Sequence, residues 1–518
     1  MSSPSIPVIG LATTDFVPGT YLQLNFAAGP SAGTANPITL LLMGNCLSTS
    51  YCATNSLVDG YVWGPAVQGR TIAQESDVIT AFGNGSELHR MYRQVAAVNK
   101  GTTPVQFVAV KESTGAAASL AITFATTATA NGSVRAYIAD TFIDTGVSTG
   151  DTATVVATNV AASINSILNA PLTASPSAGV VTLTAKQKGP RGNFIRVAAK
   201  VVGSGVGTTS SAQNFVNLSG GTVEDVWTNA LATIDPLKFS YIASPGEDAT
   251  SSGNLGELVA QVVAQSQPIV GIRQRVIAGQ TGSLGTANTF AKAINSPLCD
   301  VVWQQNSNLT PGELAAYTAG MVCLAESSAV PMLNFDNLGT SPQTAALWQI
   351  AAPFDGTSLP RSTFVSALIS GISPVQSLPN GQSMLVSLIT TYSQDPVSGN
   401  LDTRVRDHSI VTVMFLAADL IQSMISQSFA NKQAAANPLP GQKPPTAQVV
   451  TPSLLVSAVN KVISRMNDNG LLANLPASLA ATQATLNTPT QFGILIQLQP
   501  ISLAHQFAIN LNQVTFLQ

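Results

Sequence analysis

At 518 residues the chain is long enough for several domains, at roughly 100–200 residues each. Its 45% hydrophobic content is ordinary for a globular protein, but only 9% of its residues are charged, against about a quarter in an average chain. A net charge of −3 excludes a global basic field for nucleic acid, and with a mean hydropathy of +0.27 so uncharged a surface predicts burial against other subunits.

The first thirty residues hold Pro4, Pro7, Pro18 and Pro30 and read as an extended arm. Within it Leu22, Leu24 and Phe26 alternate against Gln23 and Asn25, a short strand after the Pro18-Gly19 turn. A strand at Ile38 to Met43 opens the first compact region. Ser86 to Asn99 predicts an amphipathic helix with Leu88, Met91, Tyr92, Val95 and Val98 on one stripe, and Val105 to Val110 a strand. At about Ser113 the composition turns to Ala, Thr, Gly and Ser. Strands are expected at Leu120 to Thr126, Val134 to Ile138, Val180 to Thr184 and Ile195 to Val202. Between them lies a helix capped by Asp151 that carries Val155, Val156, Val160, Ile164 and Leu168. The block closes near Leu218 to Gly221 and reads as an insertion.

From Glu224 helices and strands alternate: helix to Ile234, strand Phe239 to Ala243, helix Leu255 to Gln265, strand Val276 to Ala278. A helix through Phe290 to Ile294, a strand at Asp300 to Trp303 and a Thr310-Pro311-Gly312-Glu313 helix start continue the series. Such alternation predicts a mainly parallel α/β sheet. The final third carries strands at Val375 to Ser377 and Met384 to Tyr392, then a helix from Asp407 to Phe429. A proline-rich connector from Ala434 to Pro452 leads to a second helix capped by Thr451 and stopped by Asn469-Gly470. The chain ends in strand pattern: Ile494, Ile496 and Leu498, then Phe507, Ile509 and Leu511, then Val514 and Phe516. A phase slip after Leu511 suggests a bulge. Strands at a chain end need a sheet to enter, their own or a neighbour's.

Catalytic, cofactor and metal sites are not expected. His89, His408 and His505 are scattered, and no His/Cys/Asp cluster has metal-ligand spacing. Gly279 to Gly285 sits between a strand and a helix, the right context for a phosphate loop. Its spacing is neither GxGxxG nor GxxxxGK[ST], so a tight turn is the simpler reading. The apolar run Ile410 to Ile425 is interrupted by Asp419 and falls short of the roughly twenty residues of a membrane span. A basic, apolar signal segment is not evident at the N-terminus. Cys46, Cys52, Cys299 and Cys323 are too scattered for a disulfide framework, and reduced thiols are expected. Arg404, Arg406, Lys432, Lys443, Lys461 and Arg465 make the final third locally basic, either as a solvated face or for an acidic partner.

Leu388-Ile389-Thr390-Thr391-Tyr392, the turn through Gly399-Asn400-Leu401-Asp402 and the helix from Asp407 resemble the C-terminal domain of contractile tail sheath proteins, in particular the phage Mu-like group. The connector, the helix ending in Asn469-Gly470-Leu471-Leu472 and the closing strands continue the likeness in order. Upstream, Val17-Pro18-Gly19-Tyr21, Phe82-Gly83-Gly85-Ser86, Gly150-Asp151-Thr152-Ala153 and Gly179 to Ala185 resemble the same group. The low charge departs from it, since relatives carry more Arg, Lys and Glu in the C-terminal helices.

The resemblance implies a non-enzymatic structural subunit without cofactors, polymerising as stacked hexameric rings around a tail tube. Its further partners would be baseplate and tail terminator proteins, with no nucleic acid and no membrane insertion. It would be assembled in the host bacterial cytoplasm and reside in the virion tail. Contraction would be rigid-body rearrangement of a kinetically trapped lattice. Leu22, Leu24, Phe26, Phe507, Ile509, Leu511, Val514 and Phe516 become candidate intersubunit strand residues, added to neighbouring sheets. Lys432, Lys443, Lys461 and Arg465 become candidates to face the tube.

The fold class expected is α/β and α+β multidomain: an α/β core with a β-rich inserted domain and extended N- and C-terminal strand arms. Residues 1–30 form the arm, 31–112 and 222–345 the α/β middle domain, and 113–221 the outward-facing insertion. Residues 346–490 form a tube-proximal domain and 491–518 the C-terminal strands and arm. Rival readings are an α/β nucleotide-binding enzyme, a β-rich surface adhesin, and the sheath of a tailocin-like contractile injection particle.

Overall fold

The computed structural model describes residues 38–203, 205, 213–246, 253–267, 270–328, 335–338, 348–439, 448–499 and 501. Leu22, Leu24, Phe26, Phe507, Ile509, Leu511, Val514, Phe516, Lys443 and His505 lie outside them.

The first strand, β1 (Leu40–Asn45), is buried at every position, as a central parallel strand must be when helices cover both faces. Next come α1 (Tyr51–Thr54), the short β2 (Val62–Trp63), α2 (Glu75–Phe82), α3 (Glu87–Asn99) and β3 (Val105–Val110). Ser86 caps α3 by accepting from His89 N, and the helix stops at Lys100 in the left-handed region.

The insertion then supplies β4 (Ala117–Thr123), β5 (Gly132–Ile138), β6 (Thr141–Val147), α4 (Ala153–Asn165), β7 (Leu172–Ser177), β8 (Val180–Lys188), β9 (Arg196–Val202) and β10 (Val216–Asn217). Two antiparallel sheets, β10-β9-β5-β6 and β4-β8-β7, enclose with α4 a core of their own. The sequence reading missed β6 and β7, and it misplaced the cap of α4. Thr152 accepts from Val155 N, while Asp151 closes the preceding turn by accepting from Ser148 N. The helix ends at Asn165, which leaves Leu168 68% exposed instead of on the buried stripe.

The chain returns through α5 (Thr228–Ile234), shorter than the helix expected from Glu224. It then alternates β11 (Tyr241–Ser244), α6 (Asn254–Gln265), β12 (Arg275–Gln280), α7 (Leu284–Ile294), β13 (Cys299–Trp303) and α8 (Pro311–Ser328). After α9 (Arg361–Ile369) come β14 (Ser373–Ser377) and β15 (Ser383–Leu385). All the strands outside the insertion up to this point form one eight-stranded sheet in the order β15-β14-β13-β12-β11-β1-β3-β2. Its neighbours are parallel except at the edges, where β15 and β2 run antiparallel.

The α/β sheet continues past residue 346. β14 pairs with β13 through Val302–Ser373 and Trp303–Pro374, so it belongs to the α/β sheet and not to a following domain. The strand expected at Met384 to Tyr392 is broken too: beyond Leu385 only single bridges form, Asp300–Thr390 and Ile389–Asp407.

The last part holds α10 (His408–Phe429), the pair β16 (Gln433–Ala434) and β17 (Val449–Val450), α11 (Pro452–Asp468), α12 (Leu475–Ala481) and the hairpin β18 (Gln483–Thr488) with β19 (Gln491–Leu495). Thr451 caps α11 by accepting from Leu454 N, with Pro452 in its first turn. At 22 residues α10 exceeds the sixteen-residue apolar run, and by length and composition it could cross a membrane. Here it spans two cores. Val411 packs under the sheet, and Ala417 and Ile421 meet Val459, Ile463 and Met466 of α11. Asp419, the break in its apolar run, pairs at 2.6 Å with both Arg273 and Lys238.

Candidate functional site

In an open α/β sheet, ligands bind at the carboxyl ends of the strands where successive connections diverge. That point lies between β1, whose chain continues toward β3, and β11, whose chain continues toward β12. The crevice is filled. Asn45, the last residue of β1, donates from its backbone to Glu87 Oε2 at 2.9 Å and from its side chain to Asp225 at 3.1 and 3.3 Å. Arg191, in the turn that lies against the block's junctions with the sheet at Ser113 and Val223, reaches in to pair with Glu87 and, at 2.5 Å, with Asp225. All three side chains are at most 10% exposed. Burial pushes the Glu87 carboxyl up, with Arg191 opposing. A neighbouring ion pair, Arg90 to Glu313 at 2.6 Å, caps the start of α8 beside it.

The loop Gly279 to Gly285 is a turn by construction. Gln280 Oε1 accepts from the Thr281 and Gly282 amides at 2.7 and 2.9 Å, so the donors a phosphate would need are spent on the loop itself. A Cβ on Gly279 would lie 2.0 Å from the Pro311 carbonyl oxygen, which explains the glycine by close packing of strand against helix.

A second polar cluster, which the sequence reading missed, lies under the sheet. Asp300 of β13 accepts from Arg275 of β12 at 2.8 and 3.1 Å and meets His408 Nδ1 at 2.6 Å. Tyr241 of β11 donates to Glu326 at 2.7 Å and touches His408 Nε2 at 3.3 Å. Arg275 also donates to the His408 carbonyl at 2.6 Å and to Thr412 Oγ1 at 2.9 Å. Burial pushes the Tyr241 hydroxyl far up. An Asp–His pair suggests catalysis, but Asp300 and His408 are wholly buried and neither meets a Ser or Cys nucleophile in this cluster. It bolts the first turn of α10 to three sheet strands and to α8. Its sequence signal was a charge inside each apolar strand: Arg275 before Val276-Ile277-Ala278, and Asp300 after Cys299.

The other histidine reading also resolves structurally: His89 Nδ1 accepts from Gly85 N and Nε2 meets Glu75, both at 3.0 Å. Cys46 and Cys52 are free and buried, and the Cys52 thiol donates to the Leu57 carbonyl at 3.1 Å. Burial and the Cys46 thiol together push Cys52 up, Cys46 first. Among the described residues no group of three or more His, Cys, Asp or Glu side chains could hold a metal.

What remains for function is surface. Among the described residues β18 and β19 pair only with each other, so each presents an open edge. The hairpin packs on α11, and Ile494, Ile496 and Leu498 join the α10–α11 core. Of the tube-facing candidates, Lys432, Lys461 and Arg465 are exposed; Lys432 lies over the Phe429 ring, and Lys461 and Arg465 share the outer side of α11.

No family model matches this sequence. It is 24% identical over 511 residues to the Mu-like prophage FluMu tail sheath protein of Haemophilus influenzae, covering 97% of each chain. Among solved structures it is similar to a sheath tail protein from Listeria innocua (13% identity, TM-score 0.45, 90% of this chain and 93% of that one). Another, from Desulfitobacterium hafniense, has 11% identity and a TM-score of 0.44 over 93% of this chain and 100% of that one. The helical sheath of the anti-feeding prophage in its contracted state has 10% identity and a TM-score of 0.44 over 96% and 100%. The sequence likeness to a tail sheath protein therefore runs the length of the chain rather than through the quoted motifs alone.

Proposed function

We propose that this chain is the structural subunit of a contractile phage tail sheath. The observation that carries the reading is the end-to-end likeness to a protein of that name. Two features of the fold support it. The crevice that would serve an α/β enzyme is occupied by Arg191 and its carboxylates, and among the described residues the β18–β19 hairpin offers open strand edges in a chain with few charges.

In this reading subunits form stacked hexameric rings around an inner tube. Leu22, Leu24 and Phe26 of one arm, and Phe507, Ile509, Leu511, Val514 and Phe516 of the other, add strands to neighbouring sheets. The β18–β19 hairpin is the acceptor. Lys432, Lys443, Lys461 and Arg465 serve an acidic neighbour such as the tube. Baseplate and terminator proteins cap the ends, assembly takes place in the host cytoplasm, and contraction drives the tube through the host envelope. A tailocin-like particle would use the same subunit.

Negative-stain microscopy of the purified protein tests this. Tubes or stacked rings are expected, and deletion of Gln506 to Gln518 should leave a soluble chain unable to form long tubes. A monomer that binds a nucleotide would overturn the sheath reading; normal tubes from the truncation would overturn the arm assignment.

A further inference from the structure

The loop from Ser393 to Arg404 is built more rigidly than a solvent loop needs. Asp395 Oδ1 accepts from the Val397 and Ser398 amides at 2.9 and 2.8 Å, and its carbonyl accepts from Gly399 N at 2.8 Å. Gly399 takes the positive φ of +69° that closes the turn. Below the tip, Gln394 bridges Leu401 and Asp402 N donates to the Ser393 carbonyl at 3.0 Å. Asp402 accepts from Arg404 at 2.6 Å and from the Tyr392 hydroxyl at 3.0 Å. Asn295, capping α7, holds Ser393 N and Gln394 N at 3.0 and 3.1 Å.

This frame presents two apolar side chains. Val397 is 95% exposed, the most exposed large hydrophobic side chain among the described residues, and Leu401 is 61% exposed. Asp-Pro-Val-Ser-Gly-Asn has turn formers everywhere except at the valine. A β-branched residue gains nothing at a wet turn tip, whereas a rigid apolar tip binds without a large ordering cost. The knob also keeps one surplus negative charge, Asp395 and Asp402 against Arg404.

A matching surface exists on the same chain. Arg361, Val365 and Ile369 stand four apart on the outer side of α9, one helical face. Val365 is 46% and Ile369 54% exposed, while Phe364 and Ala367 turn inward. Arg361 is exposed and has no ion pair among the described residues.

We infer that the Val397–Leu401 knob of one copy docks on the Arg361–Val365–Ile369 face of α9 in a second copy. The match is two apolar side chains to two, and one surplus negative charge to one positive. Knob and face are different patches of one chain, and in the sheath reading the contact repeats head-to-tail, the kind that propagates into rings or helices. The inference rests on the sheath reading.

The test is a mutant cycle on the critical concentration for assembly of the full chain, read by sedimentation. The knob variant carries Val397→Ser and Leu401→Ser; the face variant carries Val365→Ser and Ile369→Ser. All four positions are exposed, so melting temperatures should match the parent. Each pair is expected to raise the critical concentration about tenfold or more, roughly 1.4 kcal/mol per tenfold step. The quadruple variant should rise no further than the worse pair, because contacting residues are not additive. Unchanged assembly of the knob variant, or multiplied effects in the quadruple, overturns the docking. A parent chain that never assembles overturns the sheath reading itself.

Discussion

Arg191→Met is the sharpest test of how the insertion is held. Arg191 is the cation against two buried carboxylates, Glu87 at 10% side-chain exposure and Asp225 at 2%. It also lies 5.5 Å over the Trp227 ring. Removing one partner of a buried pair costs about 3–5 kcal/mol, because the charge left behind has no water. The two pairs share one guanidinium, so their costs do not sum. At about 2–4 °C per kcal/mol for a unit of 150–250 residues, the melting point should fall by about 6–20 °C.

The carboxyls can also escape by taking up protons. Burial holds the Glu87 carboxyl above its usual 4.5, and losing Arg191 removes the largest influence that lowers it. A raised carboxyl means the folded state binds more protons than the unfolded one above pH 4.5, so its contribution to stability falls as pH rises through that window. The deficit of Arg191→Met should therefore shrink between pH 8 and about pH 5. Adding Glu87→Gln and Asp225→Asn should restore most of the loss at neutral pH. The assay is differential scanning fluorimetry across pH. A melting point within a degree of the parent, or a deficit that grows on acidification, would refute the reasoning.

The same argument bears on excising Thr114 to Ser219. Plain excision with a short linker is expected to yield insoluble chain, whereas excision with Glu87→Gln and Asp225→Asn should fold and still polymerise in negative stain. Asp300→Asn should cost about 3–5 kcal/mol by stranding Arg275 and His408, and hydrogen exchange should speed up first in the opening turns of α10. Gly279→Ala, whose methyl would sit 2.0 Å from the Pro311 carbonyl, should lower soluble yield and cost at least about 1–3 kcal/mol by overpacking.

The regular α/β part was legible because central parallel strands are short, wholly apolar runs separated by capped helices. Thr310-Pro311-Gly312-Glu313 and Thr451-Pro452 each announce a helix start. Less legible were strands whose partners lie inside the insertion. β6 alternates apolar and polar residues only loosely and exposes Phe142, and β7 carries Pro176 at a sheet edge. The continuation of the sheet past 346 was not legible because β14 enters it by parallel pairing with β13, some seventy residues earlier in sequence. Local pattern carries no trace of such a partner. The buried clusters were missed for a related reason: a lone Arg or Asp in a strand looks like noise until the opposite charge arrives from another element.

Those clusters bear on the low charge that the composition made conspicuous. Five arginines, at positions 90, 191, 196, 273 and 275, keep side-chain exposures of 11% or less. Each pairs with a carboxylate from a different element: Glu313, Glu87 and Asp225, Asp355, Asp419, Asp300. A chain with few charges has thus placed many of its arginines at internal seams, between insertion and sheet and between sheet and α10. Single buried pairs are weak evidence of stability, but they penalise any other docking of the same pieces, since misalignment strands a charge. The joints are therefore tied by buried ion pairs, while among the described residues the β18–β19 hairpin keeps open edges. The same placement leaves the β1–β11 crevice, the usual seat of α/β chemistry, filled by Arg191 as the insertion's anchor.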